Sequence, residues 1–326
     1  MPRYSFCEKR YLRHNNHKGV SMTQHPSCIR PSITHSASPN PSDNHQEQDG
    51  DAAILDGLFG PDLRLIFQAI DWPALFRPLN RNLHLLDIGS EIRHLSRMLE
   101  STLNPDLEIR YDRVAFFPDR KDCGSLPSPF RHRSTFDGSW NEVRTRTSSS
   151  DRYEIIWAIH SFSILDSRDL SFPIIRQLLH RDRGTALIVL PKQHAFCHQL
   201  RLRYRQLFPS TDAHPSILTA EHAFSGMNSL GMPCLVRELE CVHAIPLRDE
   251  PVLDTYLRRC AGDRRPSQTW RYLPSMRDFL DGFRHGSVYR FPHPIWVILG
   301  ARPESGTDGR RRLYSYLKPI SRQLVA

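Results

Sequence analysis

Residues 83–99, LHLLDIGSEIRHLSRML, constrain the fold more than any other part of this chain. An apolar run ends at Asp87, a single glycine follows at Gly89, and a helical pattern begins almost at once. Ile92, Leu95, Met98 and Leu99 recur at the spacing of one buried helix face, and Ser90 stands where a helix cap belongs. A buried parallel strand that turns into a helix in this way belongs to an open α/β sheet, whose carboxyl edge is where adenine-containing cofactors bind. Glycine at the bend permits close backbone approach, and the free amides opening the helix favour a polar or anionic group.

The remaining pattern extends this unit. Residues 107–114 read as a second strand with Asp112 near its end. Residues 153–159 form an apolar run interrupted by Glu154, as expected of a strand covered on both faces, and His160 and Ser161 follow at its carboxyl end. A helix over 170–180, a turn at Arg183 and Gly184, and a strand over 185–190 come in the order that a right-handed parallel crossover requires. Helices are predicted over 194–208, 219–230, 251–260 and 276–283, and residues 235–244 alternate like a strand. Residues 287–290 and 294–300 predict a closing antiparallel pair. Between 116 and 150 the signal fades into Pro, Ser, Arg and Gly, with room for a third short strand and a reduced helix.

Three segments result. Residues 1–50 are rich in Ser, Pro, Asn and scattered histidines (His14, His17, His25, His35 and His45) and are expected to be disordered. Those histidines are too irregular to propose as metal ligands, and no metal site is read from the sequence. Residues 51–302 form the folded domain, opening with a helical preface interrupted at Gly60–Pro61 and Trp72–Pro73. Residues 303–326 read as a basic, weakly patterned tail. The scarcity of acids before residue 40 would suit a mitochondrial leader, but the apolar face such a leader needs is missing, and Met22 offers an alternative start.

Apolar residues make up 39% of the 326, enough for a substantial core, and no run approaches the roughly 20 apolar residues that cross a bilayer. A soluble, cytoplasmic protein is the expectation. Seven cysteines without CxxC spacing suggest neither a zinc site nor a disulfide framework. The net charge of +9 raises nucleic acid as a partner, yet the arginines are dispersed and do not interleave with aromatics, which argues against it.

Physics alone leaves the cofactor open between a dinucleotide and a cationic sulfonium nucleoside. DIGSEIR lacks the GxGxxG set that cradles a pyrophosphate, and Glu91 would repel phosphate but not a sulfonium. The order LDIGSEI, then YEIIWAIHSFSIL, a helix and TALIVL resembles class I S-adenosylmethionine-dependent methyltransferases of the histamine N-methyltransferase-like branch. The preface, the helix carrying Arg203 and Tyr204, and the closing GSVYRFPHPIWVILGAR fit that branch too, giving coverage of about residues 50–302. The resemblance implies a Rossmann-like, seven-stranded, mostly parallel sheet with helices on both faces and an antiparallel C-terminal strand pair. It also implies S-adenosyl-L-methionine as cofactor and a small-molecule acceptor methylated at nitrogen or oxygen. The sequence departs from the family where Ser90 and Glu91 replace expected glycines.

Carried over, the resemblance places Asp87, Gly89 and Glu91 on the methionine side of the cofactor and Asp112 at the ribose. Ile159, His160 and Ser161 would lie beneath it, facing the acceptor. Methyl transfer needs an acceptor lone pair held in line with the methyl group, and a base where the acceptor carries a proton. His160 is the first candidate base, His194 the second and His222 a third. Each residue also has a plainer reading. Asp87 could be a strand-end turn residue, Glu91 a first-turn acid favoured by the helix dipole, Asp112 a surface acid beside Arg110 or Arg113, and His160 a histidine bonded to its neighbours. Phe162, Tyr204, Phe208, Phe224 and Trp270 are either pocket walls or core. A catalytically inactive relative serving as a binding or accessory subunit is the rival to an enzyme, and a homodimer is compatible with either. A nicotinamide oxidoreductase and a nucleic-acid methyltransferase rank below both.

Overall fold

The computed structural model describes residues 43–77, 82–89, 92–115, 128–137, 142–143, 145, 152–159, 172–209, 218–263 and 265–319. The chain divides into Met1–Asn44 and His45–Ala326, and the second unit holds the fold. Its centre is a seven-stranded sheet of order β3-β2-β1-β4-β5-β10-β6. The strands are β1 (Asn82–Ile88), β2 (Glu108–Ala115), β3 (Phe130–Asp137), β4 (Ile155–Ile159), β5 (Thr185–Pro191), β6 (Cys234–Leu239) and β10 (Ile295–Ala301). Strands β1 to β5 pair in parallel, while β10 runs antiparallel to both β5 and β6. Every residue of β4 and β5 is buried, which explains their uninterrupted apolar sequences.

Alternation along the strands feeds two cores. Leu83, Leu85, Trp157, Ile159, Leu187 and Val189 face one side, with Ile66 of α1 (Asp43–Ala69), Ile70 just beyond it, Trp72 and Leu75 of α2 (Trp72–Leu75), and Leu95 and Leu99 of α3 (Ile92–Glu100). Leu86, Ile88, Ile156, Ala158 and Ile188 face the other, beneath α4 (Phe172–Leu178) and α6 (Ala220–Ser229). A third core lies among α5 (Phe196–Leu207), α7 (Glu250–Ala261), α8 (Pro274–Asp281) and a small antiparallel sheet of order β7-β9-β8. That sheet comprises β7 (Val242–Pro246), β8 (Arg284–His285) and β9 (Val288–Pro292). Helix α7 ends at Gly262 in the left-handed conformation (φ +74°), which a side chain would strain.

Several boundaries differ from the sequence reading. The closing pair does not form between 287–290 and 294–300. β9 joins β7 and β8, whereas β10 inserts between β5 and β6, because its two-sided apolar face belongs in the sheet interior. The alternating run 235–244 is likewise divided: β6 and β7 belong to different sheets, since Leu239–Ile295 is the last pairing of β6 with β10. Helix α1 begins at Asp43, within the stretch expected to be disordered, and continues through Pro61. Within the basic tail lies α9 (Gly306–Ser315), which with Tyr316 sends Leu313 into the first core. A bridge between Ile70 and Leu317 fastens that end. Among the described residues no helix is long and apolar enough to cross a membrane.

Candidate functional site

The carboxyl ends of β1, β4 and β5 lie along one edge of the sheet, joined there by the start of β10 and the end of β6. Strand order reverses between β1 and β4, the position where open α/β sheets bind ligands. Gly89 follows β1 directly with φ of +62°, a left-handed conformation that favours glycine. Its amide donates to Val114 O at 3.0 Å, so the β1–β2 ladder runs on to the bend before α3 opens at Ile92. Asp87 pairs in register with Arg113 on one side and Trp157 on the other. The Trp157 indole N–H donates to Asp87 Oδ1 at 2.8 Å, and Arg113 Nε stands 4.0 Å from Oδ2. A fully buried carboxylate is thus held at the reversal by a neutral donor and a more distant cation.

Asp112 pairs in register with Leu86 of β1. It lies three residues before the end of β2 and is 1% exposed. Arg133 donates to both of its oxygens, at 3.0 Å from Nε to Oδ1 and 2.5 Å from Nη2 to Oδ2, and the Tyr153 hydroxyl donates at 2.7 Å. The cause is a bulge: the β2–β3 register passes from Tyr111/His132 to Asp112/Ser134, leaving Arg133 as the extra residue, turned toward the carboxylate. Nothing in the sequence signals a bulge at this arginine.

Ile159 ends β4 and is buried in the first core. Glu91, His160, Ser161, Ser90 and Phe162 lie outside the described residues. His194 is exposed in the loop after β5, where its carbonyl accepts from Gln199 Nε2 at 2.6 Å. Around it the edge is polar. The Gln193 amide donates to Glu221 Oε2 at 2.9 Å, Lys192 Nζ meets Glu238 at 2.6 Å, and the Trp296 indole donates to the same carboxylate at 3.0 Å. His222 shares the Thr219 cap of α6. One turn into α5, His198 is buried, and that burial drives its imidazole down to about 4. The proposed aromatic walls are mostly core: Tyr204 packs on Phe208 and Trp270, with ring centroids 4.9 and 5.1 Å apart, while Phe224 meets Trp296.

A second polar cluster joins the preface helix α1 to the segment inserted between β6 and β10, which carries β7, α7, α8, β8 and β9. Asp62 of α1, His243 of β7 and His293 between β9 and β10 are each buried, and one ligand atom from each lies within 4.8 Å of the others. The Cys241 thiol also hydrogen-bonds Asp62, and burial raises its pKa. With sequence separations this large, no spacing motif could have revealed the group. By contrast, a cavity of about 370 Å³ lined by Met232, Cys234, Arg310, Leu313 and Tyr314 lies toward the opposite edge, where β6 begins.

No family model matches the chain, and no curated protein matches it either. Among solved structures it is similar to a methyltransferase candidate from Bacillus halodurans C-125, with 12% identity over 72% of this chain and 99% of that one and a TM-score of 0.43. It is also similar to an O-methyltransferase family protein from Burkholderia thailandensis, with 11% identity over 80% and 60% of the two chains and a TM-score of 0.43. A SAM-dependent methyltransferase from Anabaena variabilis gives 12% identity over 77% and 95%, with a TM-score of 0.38. The strand order, not these distant likenesses, carries the fold assignment. The architecture is Rossmann-like, a seven-stranded, mostly parallel sheet with helices on both faces.

Proposed function

We propose that this chain binds S-adenosyl-L-methionine at the bend after β1 and transfers the methyl group to a nitrogen or oxygen of a small molecule. The observation that carries this reading is left-handed Gly89, which continued register sets beside Ile159 where the strand order reverses. The buried Asp87 carboxylate suits a cofactor bearing ammonium and sulfonium charge, and a bend with one glycine offers no cradle for pyrophosphate. Asp87, Gly89 and Glu91 would hold the methionine side, and Ile159, His160 and Ser161 would lie beneath the nucleoside. When bound, the cofactor supplies an electrophilic methyl group. The protein's part is to align the acceptor and to take its proton, at His160 or at the exposed His194. Asp112, held by Arg133 and Tyr153, is read here as fastening β2, β3 and β4 rather than as the ribose acid.

That same engagement of Asp112 favours a second reading, an accessory subunit that binds the cofactor without turnover. Incubating native extract with the protein and methyl-labelled S-adenosylmethionine, followed by mass spectrometry, separates the two. The enzyme reading predicts a labelled product that disappears with Asp87→Ala and with Gly89→Arg. Saturable cofactor binding without product in any extract supports the accessory reading. A product that survives both replacements rules out the bend as the site.

A further inference from the structure

Buried between the preface helix and the inserted segment, Asp62, His243 and His293 bring a carboxylate and two imidazoles to one point, with exposures of 1%, 2% and 2%. His243 Nε2 lies 2.8 Å from Asp62 Oδ2, and His293 Nε2 lies 4.0 Å from the same oxygen. The two imidazole rings stack at 4.5 Å with 28° between their planes. Phe59 packs edge-on against both, 4.9 and 5.9 Å away, and fixes their orientation. The far nitrogen of His243, Nδ1, lies 2.9 Å from the Tyr256 hydroxyl. We infer that Asp62, His243 and His293 form a divalent transition-metal site, best suited to zinc, that is separate from the cofactor bend and independent of the methyl-transfer reading.

The chemistry favours this assignment over a simple hydrogen-bonded relay. Zinc takes imidazole nitrogen and carboxylate oxygen at about 2.0–2.2 Å, which puts tetrahedral donor atoms roughly 3.3 Å apart. The observed 2.8 and 4.0 Å bracket that spacing, so binding requires these distances to change by about 0.5 and 0.7 Å, with a turn of the stacked rings that brings both lone pairs onto the ion. As metal ligands one carboxylate and two imidazoles together carry −1, which a dication would compensate inside an apolar shell. Coordination through His243 Nε2 also needs the proton on Nδ1, where it can donate to the Tyr256 oxygen, the outer-sphere partner that metal-bound histidines characteristically have. The site would fasten α1 to β7 and to the β9–β10 turn, all at the functional edge of the sheet.

The untagged full chain, dialysed against zinc and then against buffer, should retain one zinc per chain by elemental mass spectrometry. Cobalt(II) should give the intense visible absorption of a four-coordinate site. His293→Gln and Asp62→Asn should each lose that zinc and that spectrum, while Tyr256→Phe should retain both with affinity weakened about 10- to 100-fold. Circular dichroism identifies a variant that fails to fold, and the wild-type cobalt spectrum then decides. Failure of the wild-type chain to retain zinc or bind cobalt overturns the proposal. So does zinc that stays at one per chain in folded His293→Gln, since it must then be held elsewhere.

Discussion

The two halves of the sheet's carboxyl edge bury their carboxylates against different partners. Around β1 to β4, Asp112 is matched to the guanidinium of Arg133 and the phenol of Tyr153, and Asp87 to the indole of Trp157 with Arg113 beyond. None of these donors changes protonation near neutral pH. Around β10 and the inserted segment, Asp62 meets two imidazoles, and His198 is buried nearby in α5. Imidazole can lose its proton and accept a metal in its place, whereas guanidinium cannot. The first half therefore matches its carboxylates with guanidinium, phenol and indole donors, whereas the second brings imidazoles to its carboxylate.

Replacing Trp157 is expected to have the largest effect. Trp157→Ala should cost about 3–5 kcal/mol in urea denaturation, because it opens a cavity in the first core and removes the donor to Asp87. Trp157→Phe should cost about 1–3 kcal/mol through the lost bond alone. A loss near zero would mean that Asp87 is not held as described. In the other half, His198 should make stability fall as pH drops from about 6.5 to about 4, its value in the fold. In that window the unfolded chain binds the proton and the folded chain does not. The loss approaches about 3 kcal/mol and then levels off. Comparing denaturation midpoints at pH 7 and pH 4.5 for wild type and His198→Leu isolates this contribution, and an unchanged slope in the variant would remove it.

Arg133→Met should destabilise by about 2 kcal/mol, less than a wholly buried pair because the arginine is partly exposed. Combining it with Asp112→Asn should recover part of the loss, and purely additive effects would contradict the pairing. Smallest of all, Glu304→Gln should change stability at pH 7 by about 0.5 kcal/mol or less. Its carboxylate, held down to about 2 chiefly by the hydrogen bond from Arg302, lies on the surface. Whatever it contributes is present above pH 4.5 and is lost as pH falls toward 2.

What the sequence revealed divides along the same line. Strands β1, β4 and β5 were readable because burial on both faces demands continuous apolar residues, and Gly89 was readable because a bend of this kind needs it. The role of Asp112 was hidden, since it depends on a bulge in β3 that periodicity does not record. Strand β10 reads as apolar whether it pairs with β9 or enters the main sheet, so only tertiary competition decides. The Asp62 cluster is assembled from three remote segments by packing in the third core, and α9 was obscured because its basic surface outweighs Leu313 in any average.

Calorimetric titration with S-adenosylhomocysteine, paired with crystals soaked in the same compound, tests the central claim most directly. The account predicts one saturable site per chain, ligand density against Gly89 and the opening turn of α3, and no binding to a folded Gly89→Arg variant. A folded wild-type chain that gives no heat, or density seated away from that bend, would contradict it.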